Sequence, residues 1–338
     1  VVIVPPGPDT ASYGVTGDMR DDVMVDAHVP PGTDVVVLQR VSHRRLAMAI
    51  PLLRKKGISV VIDVDDDLQH IHPSNPAFAM LHPKSANEFA WKYCYDACRD
   101  ASLVTVSTPA LLARYAPHGR GAVLPNCVPE LFLDIPREDS DLVGWGGSLR
   151  SHPDDLQVMG NAVRRHGAPF HVVGPADGIA DTLGIPSDRV VATGTLPINM
   201  WPVGLSKLGV GLAPLSDTRF NAAKSHLKLI EQSGLGVPWI ASPRVEYQKL
   251  HAIQPDAGIL ADTPNDWLKA LRALTSDPRR RQDASAAARQ LAANYLVERN
   301  AWRWAEAWET AYLTDHAVRP ARVPLLAKPA RSPLGLPL

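Results

Sequence analysis

The sequence predicts an α/β protein of two doubly wound domains facing each other across a cleft. Three observations carry this. Short β-branched runs recur at 1–4, 34–39, 58–64, 102–107 and 122–126. They are continuously apolar rather than alternating, as expected of strands buried on both faces of a parallel sheet. Amphipathic stretches separate them, notably 43–57, closed by Gly57, and 90–101. After a Pro-rich stretch from Pro125 to Arg137 the pattern restarts, with strand candidates at 141–147, 170–174, 189–194, 209–215 and 237–242 and helical segments at 154–167 and 225–236. Two successive βαβ series joined by a linker give two sheets with a cleft between them.

The expected division is a first doubly wound domain over 1–130, a linker over 131–140 and a second doubly wound domain over 141–294. A helix at the domain junction follows over 295–316, then a Pro-rich basic tail over 317–338. Two helices broken near Asp277–Pro278 precede that last helix. In the last helix Ala301, Ala305, Trp308 and Tyr312 are expected along one packing face, and Trp302, Trp304 and Trp308 supply a large apolar load. The tail carries four basic residues and no acid, and is expected to be extended.

Composition narrows the function classes. Lys plus Arg and Asp plus Glu both total 35, so the chain is neutral and unlike a protein that coats polyanions. No apolar run approaches the length of a membrane span. The first residues, which do not include an initiator Met, lack the basic region of a signal peptide. Cys94, Cys98 and Cys127 fit no common zinc spacing and are read as reduced thiols in a cytoplasmic protein. The absence of a GxGxxG fingerprint counts against a dehydrogenase or epimerase.

Chemistry concentrates in residues 211–242. A strand ends near Pro214, a polar loop follows, and a helix is expected to begin near Lys224 or Ser225. Ligands of open α/β sheets sit beyond the carboxyl ends of strands, where helix N-termini suit phosphates. Lys224, Ser225 and Lys228 would reinforce such a site, and Glu231, three residues after Lys228, would accept hydrogen bonds from ribose hydroxyls. The same spacing also describes an ordinary surface helix with a Lys–Glu pair. A second candidate is the turn Gly146, Gly147, Ser148, read as a strand, a glycine turn and a helix start, with Arg150 as a phosphate cation. The third is the acidic run Asp63, Asp65, Asp66 and Asp67 after a buried strand. So many carboxylates need a metal, a cationic partner or a hydroxyl-rich substrate, unless the loop is simply solvated. His70 and His72 lie close by, but the reading assigns no metal and requires no cofactor.

The run APLSDTRFNAAKSHLKLIEQSGLGVPWIAS, from Ala213 to Ser242, resembles the donor-site motif of glycosyltransferases with two facing Rossmann-like domains, the GT-B fold. The likeness is to glycosyltransferase family 4 and related bacterial and phage enzymes. It implies transfer of a hexosyl or pentosyl group from a nucleotide-sugar to an acceptor hydroxyl, with retention at the anomeric carbon and no metal; a glycan, a lipid-linked sugar, a protein and modified DNA are all open as acceptors. It implies that Glu231 binds the donor ribose, that Lys224, Ser225 or Lys228 faces the diphosphate, and that the Gly146–Ser148 turn adjoins the donor. It also implies that the loop of Asp65 and Asp66 faces the cleft, where one of them orients the acceptor or acts as base. It makes residues 5–14 an acceptor-binding or phosphate-approaching loop and places 193–201 near the nucleotide base. Many members carry a Glu eight residues before the helix Glu, and here that position is Ala223. The alternative reading is therefore a catalytically weak or inactive nucleotide-sugar binding module.

Overall fold

A computed structural model describes residues 2–4, 29–84, 88–137 and 139–316. The turn at 5–14 and the tail at 317–338 lie outside the described residues.

Two parallel sheets form the protein. The first holds β1 (Val2–Val4), β2 (Val35–Gln39), β3 (Ser59–Val64), β4 (Leu103–Val106) and β5 (Gly121–Val123) in chain order. The second holds β6 (Val143–Gly146), β7 (Phe170–Val173), β8 (Val190–Ala192), β9 (Val210–Ala213), β10 (Trp239–Ala241) and β11 (Gly258–Leu260). Its order is β11-β10-β9-β6-β7-β8, so the chain winds outward from β6 to β8 and then returns to the other side of β6. That reversal between β6 and β9 opens a crevice at their carboxyl ends. The runs read from the sequence all became strands, and β11, a short Gly-Ile-Leu segment, is an addition to them.

The pleat of the first sheet explains the last helix. Val36, Leu38, Val60, Ile62, Val104 and Val106 pack on the side of the helices Arg44–Lys55 and Glu88–Asp100. Strands in chain order with right-handed crossovers leave their connecting helices on one face. The other face presents Val35, Val37, Val61 and Leu103. The helix Val297–His316 returns from the second domain and covers it with Trp304, Ala307, Trp308, Ala311 and Tyr312. Asp315 pins its far end, accepting from Arg54 and Ser102. The expected packing face was partly wrong: Trp308 and Tyr312 pack, but Ala301 and Ala305 are exposed. Alanines occur all round this helix, so their spacing did not distinguish the sides, whereas the two indoles and Tyr312 carry the apolar area.

Backbone pairing joins the halves where Val128 bridges Leu296. The segment after this bridge belongs mechanically to the second domain. Arg137 donates to the carbonyls of Leu208 and Gly209, Arg281 grips Asp139 at 2.8 Å, and Arg289 donates to the Leu133 carbonyl. The single helix expected over 154–167 is instead a 3-10 turn, Leu156–Met159, and a short helix, Ala162–His166. Gly160 separates them with φ +53°, a left-handed conformation that interrupts a helix.

Candidate active site

The carboxyl ends of the two sheets meet. Thr108, after β4, donates to the Ala223 carbonyl at 3.0 Å, and Asn126, after β5, donates to Ser225 Oγ at 2.7 Å. Asp66, after β3, pairs with Lys224 at 2.6 Å, and Asn75 reaches the Ser151 carbonyl at 3.3 Å. The segment 223–225 is thus the strut across which the domains face each other.

At the reversal point the site is built from β6 and the helix Leu227–Gly234. That helix begins later than expected, so Lys224 and Ser225 lie in the turn before it and Lys228 is its second residue. Lys228 Nζ donates to the Gly146 carbonyl at 2.7 Å and sits 5.1 Å from the centroid of the Trp145 ring. Burial pushes this ammonium down to about 8, against the opposing pull of Asp155 and Glu231. Glu231, one turn on, accepts from Trp201 Nε1 at 3.2 Å. Burial raises its carboxyl, while Lys228 and the Trp201 bond lower it. The first turn of the helix adds its partial positive charge at the same end. A cation, a carboxylate and a helix N-terminus are therefore gathered at the mouth of the crevice.

The glycine turn shapes the floor. Gly147 has φ +156°, and a Cβ there would lie 2.6 Å from the Trp145 ring. Gly174 approaches so closely that its own Cβ would fall 2.1 Å from the Gly147 oxygen. The Gly147 N–H donates to the Val173 carbonyl at 3.1 Å, so it is engaged within the protein. Ser148 Oγ accepts from the Arg150 N–H at 3.3 Å, and the Arg150 side chain is exposed. The turn leads into further turns rather than directly into the expected helix.

Beneath this turn lies a polar cluster that the sequence reading did not single out. The buried Asp155 accepts from Ser216 N and Oγ at 2.9 Å each, from Asn221 Nδ2 at 2.7 Å and from His152 Nδ1 at 2.9 Å. Burial would raise its carboxyl, but the His152 and Ser216 bonds outweigh it and the net direction is down. Asp155 therefore ties the loop after β6 to the loop after β9. The sequence reading placed Asp155 at the start of the helix expected over 154–167 and gave it no role. Trp201 ends the segment 193–201 that the resemblance places near the nucleotide base, but its bond to Glu231, 30 residues on, was not anticipated.

The acidic run resolves into four separate partnerships. Asp63 accepts from Thr105 at 2.6 Å, and Asp67, fully buried, is held by His70 at 2.8 Å and Arg114 at 3.2 Å. Asp65 is exposed, 3.7 Å from Arg40, and Asp66 pairs with Lys224 across the cleft. Cationic partners thus answer Asp65, Asp66 and Asp67, whereas Asp63 is held by neutral donors, Thr105 and Gln39, and burial raises its carboxyl. Of the two acids assigned to chemistry, the structure brings Asp66 to Lys224 and leaves Asp65 at the surface. Ala223 is buried and packs into the core of the first domain, beside Phe220. A carboxylate at that position would have to displace the interdomain packing.

No protein-family model and no curated protein matches the sequence. Solved structures do match. Sucrose-phosphate synthase from Thermosynechococcus elongatus aligns with TM-score 0.60 and 14% identity over 86% of this chain and 77% of that one. TarM aligns with TM-score 0.59 and 14% identity over 81% of this chain and 54% of that one. Anabaena HepE, solved in complex with UDP, aligns with TM-score 0.55 and 15% identity over 82% and 79%. These are GT-B glycosyltransferases. The chain has the GT-B fold. It spans about half the length of TarM. The strut 223–225 stands between the two domains of this fold. Among the described residues no helix is long and apolar enough to cross a membrane.

Proposed function

We propose that this chain transfers a hexosyl or pentosyl group from a nucleoside-diphosphate sugar to an acceptor hydroxyl, with retention at the anomeric carbon. The observation that carries the proposal is the pairing of Lys228 and Glu231 on one helix at the reversal point. In this reading the diphosphate lies against Lys228, Lys224 and the helix N-terminus. The bond from the anomeric carbon to the phosphate oxygen breaks, and its electron pair leaves on the diphosphate, where these cations stabilise it. The acceptor oxygen bonds to the same carbon, and its proton passes to a base in the cleft. Asp66 orients that hydroxyl once the diphosphate competes for Lys224. Glu231, held by Trp201, accepts from the ribose hydroxyls. Two lysines supply the charge compensation, so the reading requires no metal or other cofactor. That HepE was solved with UDP supports UDP as the first nucleotide to try. The free thiols of Cys94, Cys98 and Cys127 support a cytoplasmic setting.

Mass spectrometry of products from a panel of nucleotide-sugars against mixed glycan, protein and DNA acceptors tests the proposal. A product one glycosyl unit heavier than an acceptor is expected, and NMR of its anomeric proton reads the stereochemistry. The burial of Ala223 favours one competitor, a binding module that retains the nucleotide-sugar without turning it over. Binding with neither hydrolysis nor transfer to any acceptor would select that competitor.

A further inference from the structure

A second cavity lies beside the strut, formed by three elements that the donor site does not use. Its volume is about 590 Å³, within the roughly 300–1,000 Å³ range of small-molecule sites. The first domain lines it with the edge strand β5 and with Ser107, at the end of β4. The second domain contributes Glu246 and Lys249, and the last helix contributes Trp302, Arg303 and Glu306. Helical spacing brings Trp302 and Glu306 onto one stripe, and Arg303 stands beside them.

Two buried polar atoms here have no hydrogen-bond partner among the described residues: Ser107 Oγ and Arg303 Nε. Such atoms are costly to leave unpaired. Ser107 is 7% exposed. It follows Leu103 and Thr105 in the alternation of β4, so its side chain points to the face on which the last helix packs. Trp302 is 45% exposed although it lines the cavity, and the Arg303 guanidinium lies 5.5 Å from its ring centroid. Lys249 and Glu246 pair at 2.7 Å. The lining thus has an aromatic surface, a free hydroxyl, two cations and two carboxylates.

We propose that this cavity binds a neutral oligosaccharide. Sugar hydroxyls both donate and accept, so they satisfy Ser107, Arg303 and Glu306 together, and the apolar face of a pyranose ring suits the indole of Trp302. An anionic ligand would meet two carboxylates, and a cationic one would meet Arg303 and Lys249. The strand ends that line the cavity continue directly into Thr108 and Asn126, the residues that bond the strut. A glycan held there therefore lies next to the donor motif. The inference goes beyond the donor site and does not depend on it.

Saturation-transfer NMR with cellotetraose, chitotetraose and maltotetraose at millimolar concentration tests it on the intact chain. At least one should receive saturation from the wild type. Trp302→Ala should weaken that binding about tenfold, and Glu306→Gln should weaken it less, while UDP affinity stays unchanged in both. Trp302 is half exposed, so its truncation spares the core, and Glu306→Gln keeps the side-chain shape. No transfer to any of the three, equal transfer in both variants, or binding seen with an oligogalacturonate alone would overturn the proposal.

Discussion

The second sheet reverses its strand order between β6 and β9, whereas the first keeps chain order from β1 to β5. The charged residues at their carboxyl ends differ accordingly. In the first domain each acid of the run Asp63–Asp67 has a partner of its own, and two of them, Asp63 and Asp67, are spent on fixing β3 and the turn after it. In the second domain the charges are shared: Lys228 feels both Asp155 and Glu231, and burial displaces the protonation of Lys228 and Glu231. Topology explains the contrast. A reversal splays the loops on its two sides and leaves a partly dry crevice where charges act over longer range. A sheet in chain order packs its loops side by side, and neighbouring strands such as β3 and β4 satisfy one another. The dense cluster of acids is thus mostly neutralised locally, whereas the sparse Lys–Glu pair at the reversal is held by burial and shared charge.

The largest effect should follow from breaking the cluster that joins the two loops of the crevice. Asp155→Ala removes the acceptor of Ser216 N–H and Oγ–H and of His152, leaving Asn221 only its bonds to Ser216, and should cost about 3 kcal/mol of stability, read from urea denaturation. A loss near zero would mean that the second domain does not depend on its buried charges. Next is Lys228→Met, which removes the ammonium but keeps much of the volume. It should raise the Kd for UDP about 10- to 100-fold by calorimetry. Stability should hold or rise, because a buried ammonium with a depressed pKa is a cost to the folded state.

The pH dependence sharpens the same point. Lys228 titrates at about 8 in the free protein. Below that pH it is charged and attracts the diphosphate. Above it the free protein has lost the proton, which binding must then restore. UDP affinity should fall from about pH 8 upward, by at most about tenfold per unit, and Lys228→Met should flatten that profile. The smallest effect belongs to the first domain. Asp65→Asn removes one exposed partner of Arg40 and should change stability by less than about 0.5 kcal/mol. UDP affinity should stay the same.

The strands were legible because continuous β-branched runs leave no polar face to turn outward, as in Val60, Val61 and Ile62. What was not legible depended on distant partners. Gly160 could not be recognised as the break in a helix from sequence alone, since a single glycine is also tolerated inside one. The packing side of the last helix was ambiguous among its alanines until the bare face of the first sheet selected Trp304, Ala307 and Ala311. At the site, Lys228 and Glu231 were readable because they share a helix face. The bonds that Trp201 and Asp155 make there were not, because each partner is brought in from a segment after a different strand. Asp65 and Asp66 looked equivalent in the sequence, and only the approach of Lys224 separates them.

The central claim is that the crevice at the β6–β9 reversal holds the diphosphate of a nucleotide-sugar. A crystal structure of the chain soaked with UDP tests it most directly. The account predicts the diphosphate within hydrogen-bond distance of Lys228 Nζ, at the N-terminus of Leu227–Gly234, with the ribose hydroxyls on Glu231. UDP bound elsewhere, or no UDP in the crevice at saturating concentration, would contradict it.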